Sequence, residues 1–111
     1  MHKKLIITVR VNEYMSRAVN PNVPFTPDEI AETAAECRAA GASIIHFHAR
    51  TPDGGKCHTP EVYAEIVAKI REKTDILIDS TLGQITVKED ENRLAHVRLM
   101  AQKSATRPDF A

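Results

Sequence analysis

No run of roughly 18 consecutive apolar residues occurs in the 111-residue chain, so nothing in it reads as a transmembrane helix. The opening MHKKLIITVRVNE is too polar and too short to read as a signal peptide. Net charge is lacking as well. Fifteen basic and fifteen acidic side chains cancel, and without a basic surplus neither a nucleic acid nor a membrane surface is an expected partner. Cysteine is scarce: Cys37 and Cys57 are the only two. They cannot make a disulfide framework and fit a reducing cytoplasm, with Cys37 read as a core thiol on a helix and Cys57 as a loop thiol. No linker or low-complexity segment divides the chain. Its 42% hydrophobic and 27% charged content is ordinary for one globular domain.

What is present is a repeated strand–helix unit. Three apolar, β-branched runs, residues 5–11, 43–48 and 76–80, are predicted strands. After the first comes TPDE, in which Thr26 can cap a helix, Pro27 suits its first position and Glu29 can reach back as in a capping box. That helix should close at Gly41. TPEVY starts a second helix the same way at Thr59, with Val62, Ile66 and Ile70 on one apolar face beside Tyr63 and Val67. A weaker third helix is predicted over 90–102, with Leu94, Val97 and Ala101 toward the core. The final RPDFA reads as the approach to another strand.

The order βαβαβα implies crossover connections and a parallel sheet. Two architectures compete: a small doubly wound sheet, nearly complete at this length, and a (β/α)₈ TIM barrel, which needs about 250 residues. The stop shortly after Pro108 favours the barrel, with residues 1–111 as the N-terminal part of a single barrel domain, about its first three βα units.

In ASIIHFHAR, alternation along the strand puts Ile44, His46, His48 and Arg50 on one face and Ile45, Phe47 and Ala49 on the other. The second set suits packing against helices. The first sets two imidazoles about 6–7 Å apart along the backbone, able to swing toward one ion at ~2.0–2.1 Å. Two imidazoles suit Zn²⁺, and Ni²⁺, Co²⁺ or Fe²⁺ would also accept them. At least one further ligand is required from elsewhere. The plainer alternative is one buried, hydrogen-bonded histidine and one at the strand end. His2, His58 and His96 fall in a terminus, a loop and a helix and read as surface residues.

Two strand exits are unusually polar. The connection over 12–26 is long against the roughly 2–6 residues usual for a βα loop, and long loops at strand carboxyl ends are often functional. Glu13 there can offer a carboxylate to a cationic group, or be a solvated loop residue. In DSTLG, Ser80, Thr81 and the amides up to Gly83 can grip an anion or make a plain turn.

Taken together, ITVRVNE, NPNVPFTPDEIA, AGASIIHFHARTPDG and DSTLG resemble the β-keto acid cleavage enzyme family, over residues 5–110. The resemblance implies a zinc-dependent (β/α)₈ barrel, usually a homo-oligomer, that exchanges a β-keto acid with acetyl-CoA to give acetoacetate and a new acyl-CoA. It implies His46 and His48 as ligands of Zn²⁺ with a glutamate from a late strand, the ion acting as a Lewis acid on the keto carbonyl. It assigns Glu13 to a substrate ammonium group, and Ser80 and Gly83 to the turn holding the substrate carboxylate. Leu82 departs from the family's S-T-G-G turn. The late glutamate, the groups promoting the chemistry and most CoA contacts fall beyond residue 111, so no catalytic residue other than the metal ligands is expected here, and the 111 residues alone are expected to be inactive. The alternative function is a non-enzymatic metal-binding or structural βα module.

Overall fold

The structure is a computed structural model and describes residues 3–82 and 90–111. Its order is β1 (Thr8–Arg10), α1 (Pro27–Ala39), β2 (Ile44–Phe47), α2 (Pro60–Lys73), β3 (Leu77–Ser80) and α3 (Asp90–Met100). The strands form one parallel sheet in the order β1-β2-β3. This is the α/β class expected from the alternating pattern. Asp109 and Phe110 both donate their N–H to the Ile78 carbonyl at 2.9 Å, and Ser80 N–H donates to the Phe110 carbonyl at 3.0 Å. The end of RPDFA therefore lies beside β3 as the sequence suggests.

Local chemistry explains the start of α1. Thr26 Oγ1 accepts the Glu29 N–H, and Glu29 Oε2 accepts the Thr26 and Phe25 N–H groups at 3.0 and 2.8 Å. Those backbone donors, Thr26 first, hold the Glu29 carboxyl below its ordinary pKa. Past the helix, Gly41 takes φ +111°, a conformation that favours glycine. At α2 the cap position is right but the bond differs. Thr59 makes no side-chain cap; its hydroxyl instead accepts from the Cys57 thiol at 3.6 Å.

The helices bury one face of the sheet. Ile45, Phe47, Ala49 and Ile78 meet Ile30, Ala31 and Ala34 of α1, Tyr63, Ile66, Val67 and Ile70 of α2, and Met100 of α3. Removing a fully buried isoleucine such as Ile66 typically costs about 2–5 kcal/mol, so this layer fixes the sheet. Two expectations are corrected here. Residues 5–7 fall outside β1 and are exposed, the Ile7 carbonyl alone accepting the Ser43 and Ile44 N–H groups, because β1 has a neighbour on one side alone among the described residues. On α3 the inward residues are His96 and Met100, while Leu94 and Ala101 are exposed. The buried stripe is turned by one residue from the predicted one, since a hydrogen bond made by His96, described below, outweighs a weak apolar pattern. No helix among the described residues is long and apolar enough to cross a membrane.

Candidate metal centre

The opposite face of the sheet carries the site. In a parallel ladder, residues in register point the same way, and Arg10, His46 and Asp79 are in register across β1, β2 and β3. His48 follows one pleat beyond His46. The two imidazole centroids lie 5.3 Å apart, edge to face at 77°. Glu13, just past β1, brings its carboxylate between them: Oε2 is 3.0 Å from His48 Nε2, and Oε1 is 4.0 Å from His46 Nε2. One ligand atom from each of Glu13, His46 and His48 falls within 4.8 Å of the others.

Each group is held from behind. The His46 Nδ1–H donates to Asp79 Oδ2 at 3.2 Å, which leaves the Nε2 lone pair facing Glu13 and His48. A carboxylate on the far nitrogen is the common way of orienting a metal-binding imidazole. Asn12, 2% exposed, clamps the backbone of His48 on both sides. Its Oδ1 accepts the His48 N–H at 2.9 Å, and its Nδ2 donates to the carbonyls of His48 at 2.8 Å and Pro24 at 3.2 Å. The next residue, Glu13, has φ +38°, a left-handed conformation that is uncommon for a residue with a side chain. Such strain persists only where surroundings enforce it, and the Asn12 clamp does so. Arg50 leaves the site and is buried, donating to the carbonyls of Gly54, Met15 and Asn12. It ties the loop after β1 to the turn after β2. Gly54 in that turn has φ +91°, and a Cβ there would meet the Phe25 ring at 2.5 Å.

The donor set suits a borderline divalent cation: two imidazole nitrogens and a carboxylate oxygen on one side of a rigid sheet. Burial lowers the pKa of His48, opposed by the nearby Glu13 charge. The neutral ring that burial favours is the form that binds metal. His48 Nδ1 is buried and has no hydrogen-bond partner.

The other expected site residues are placed differently. Ser80 is in register with Phe47, so it points toward the helices, and its Oγ is buried without a partner. Gly83 lies outside the described residues, as does His2. His58 and His96 are not surface residues: His58 is half-buried and His96 fully buried, both drawn into an aromatic cluster with Tyr63. Sequence reasoning passed over Asn12 as a clamp and Asp79 as the partner of His46. The alternation in ILIDS places Asp79 opposite Ile78, but its pairing depends on the register between strands, which no local pattern carries.

Comparison with known proteins shows the family. The family model described as beta-keto acid cleavage enzyme matches residues 4–111. The chain is 38% identical over 101 residues to a 3-keto-5-aminohexanoate cleavage enzyme of Fusobacterium nucleatum, covering 89% of this chain and 37% of that protein. It is 35% identical over 105 residues to the enzyme of that name from Acetoanaerobium sticklandii, covering 93% and 38%. A 3,5-dioxohexanoate:acetyl-CoA acetone transferase of Paraburkholderia graminis is 35% identical over 83 residues, covering 73% and 27%. The chain thus spans well under half the length of these relatives. A solved protein of Burkholderia cenocepacia J2315, provisionally called a phosphonomutase, shares the fold with a TM-score of 0.65 at 21% identity, over 95% of this chain and 44% of that one.

Proposed function

The chain belongs to the β-keto acid cleavage enzyme family, and on that premise we propose that residues 1–111 are the N-terminal part of a single (β/α)₈ barrel domain that exchanges a β-keto acid with acetyl-CoA, giving acetoacetate and a new acyl-CoA. The observation that carries the reading is the convergence of His46, His48 and Glu13 on one point of the sheet's open face. His46 and His48 are the proposed ligands of Zn²⁺, and a carboxylate from a later strand completes the set. Bound there, the ion would act as a Lewis acid toward the keto carbonyl.

The chain's own residues then divide the remaining work. Asp79 holds His46 in one tautomer and orientation through the Nδ1 bond, and Asn12 fixes the His48 backbone. Glu13 is assigned to a cationic β-substituent of the substrate. Besides the two imidazoles, Glu13 pairs with Arg10, 3.4 Å away and largely exposed; that contact is weak enough to exchange, since such surface pairs contribute about 0–1 kcal/mol. The turn after β3, with Ser80 and Gly83, is assigned to the substrate carboxylate.

The reading is tested on the full-length protein, assayed for acetoacetate formation from acetyl-CoA and a panel of β-keto acids before and after chelation. Turnover with at least one keto acid, lost on metal removal and restored by zinc, is expected. Stoichiometric zinc without turnover on any of them would favour the metal-binding module instead.

A further inference from the structure

Behind the sheet, away from the metal centre, three ring side chains pack together. His96 of α3 lies 4.5 Å from both Tyr63 and His58, centroid to centroid, and His58 lies 5.2 Å from Tyr63. His96 is 0% exposed, and burial is the first cause of a pKa pushed down to about 4. A buried imidazole costs free energy that leucine at the same place would not, unless its polar atoms are used. One of them is. His96 Nε2 lies 2.6 Å from the Thr81 carbonyl oxygen. A carbonyl only accepts, so the proton is on Nε2, and the Nδ1 left without a partner is a bare acceptor.

That bond falls at a particular place. Thr81 follows the last residue of β3, where the ladder ends. It stands two residues after Asp79, which orients His46, and at the start of the turn assigned to the substrate carboxylate. The cluster also reaches β2, since the Tyr63 ring packs 5.9 Å, centroid to centroid, from Phe47, the last residue of that strand. One buried group of rings therefore contacts the exits of both strands that carry the site.

We infer that His96 is a positioning residue: its Nε2–H holds the Thr81 carbonyl and so fixes the exit of β3, and with it the Asp79 carboxylate and the turn that follows. The inference deepens the proposed function and rests on it for the meaning of the site, though the restraint on β3 is measurable without it.

The test compares His96→Gln, whose amide can place a donor near the Nε2 position, with His96→Leu, which fills the space and donates nothing. Both are made in the full-length protein. Amide hydrogen exchange is read at Ser80 and Phe110, whose N–H groups bond across the exit of β3, and at Val67 and Ile70 in the α2 core. Zinc affinity is read by competition with a coloured chelator. In His96→Leu, exchange at Ser80 and Phe110 should quicken at least tenfold with Val67 and Ile70 unchanged, and zinc affinity should fall about tenfold, the low end for loss of an outer-shell partner. His96→Gln should restore both to within threefold. Unchanged local exchange in His96→Leu, or equal damage in the two variants, would overturn the inference and make His96 a packing residue. If His96→Leu does not fold, failure of His96→Gln to keep native exchange at Ser80 and Phe110 overturns it. Wild-type protein that binds no zinc would count against the proposed function alone, because the exchange result still decides the role of His96.

Discussion

At the residue scale, Glu13 and Asn12 are neighbours with opposite chemistry. Glu13 presents a charge to the open face from a strained backbone, and Asn12 spends its whole amide behind it. If Glu13 receives a cationic β-substituent, Glu13→Gln should raise KM for an amino-bearing keto acid at least about tenfold, or 1.4 kcal/mol, with little change for a neutral one. Steady-state kinetics on the two substrates check this, and equal effects would assign Glu13 another task. Asn12→Asp keeps the shape but turns the Nδ2 donor into an oxygen facing the His48 and Pro24 carbonyls, 2.8 and 3.2 Å from the present nitrogen. Two buried bonds become repulsions. The variant should lose about 3 kcal/mol of stability in urea unfolding and bind zinc more weakly. Wild-type stability would show that the clamp contributes nothing.

At the scale of elements, α3 is held by a histidine that must stay neutral. Unfolded, the His96 imidazole takes up a proton near the ordinary 6.5; in the fold it resists until about 4. Between those values the unfolded state binds the proton and the native state does not, so stability is full above pH 6.5 and falls as pH drops toward 4. The span is on the order of 3 kcal/mol. His58, lowered by its own burial, adds to the same slope, and Tyr63 stays uncharged throughout it. Urea midpoints at pH 7 and 4.5 should therefore lie closer together in His96→Leu than in wild type; an identical pH dependence would show that His96 is protonated in the fold. α1 and α3 also show what a sequence carries. The cap of α1 is legible because Thr26, Pro27 and Glu29 interact within four residues. The phase of α3 is not, because the Thr81 carbonyl that draws His96 inward comes from a different element. The same distinction separates His46 and His48, placed together by simple alternation, from Asp79, placed beside them by the pairing of β2 and β3.

At the scale of the whole molecule, the helices complete one side of the sheet and leave the other open. Among the described residues β1 has one neighbour, Phe110 begins a pairing beside β3, and Leu5, Ile6 and Phe110 are exposed apolar side chains. Unpaired strand edges with apolar neighbours invite association, and the interior of a closed barrel would fill the face that bears the histidines. Residues 1–111 expressed alone should therefore self-associate in sedimentation and bind zinc far more weakly than the full-length protein; a monodisperse monomer with equal zinc affinity would mean that Glu13 suffices as the third ligand. The claim from which the rest follows is that His46 and His48 bind one ion together. Zinc K-edge X-ray absorption on stoichiometrically loaded full-length protein tests it most directly. Two imidazole nitrogens per zinc at about 2.0–2.1 Å, with oxygen donors in the remaining positions, is the predicted result. One imidazole or none, or sulfur from Cys37 or Cys57 in the coordination shell, would contradict it.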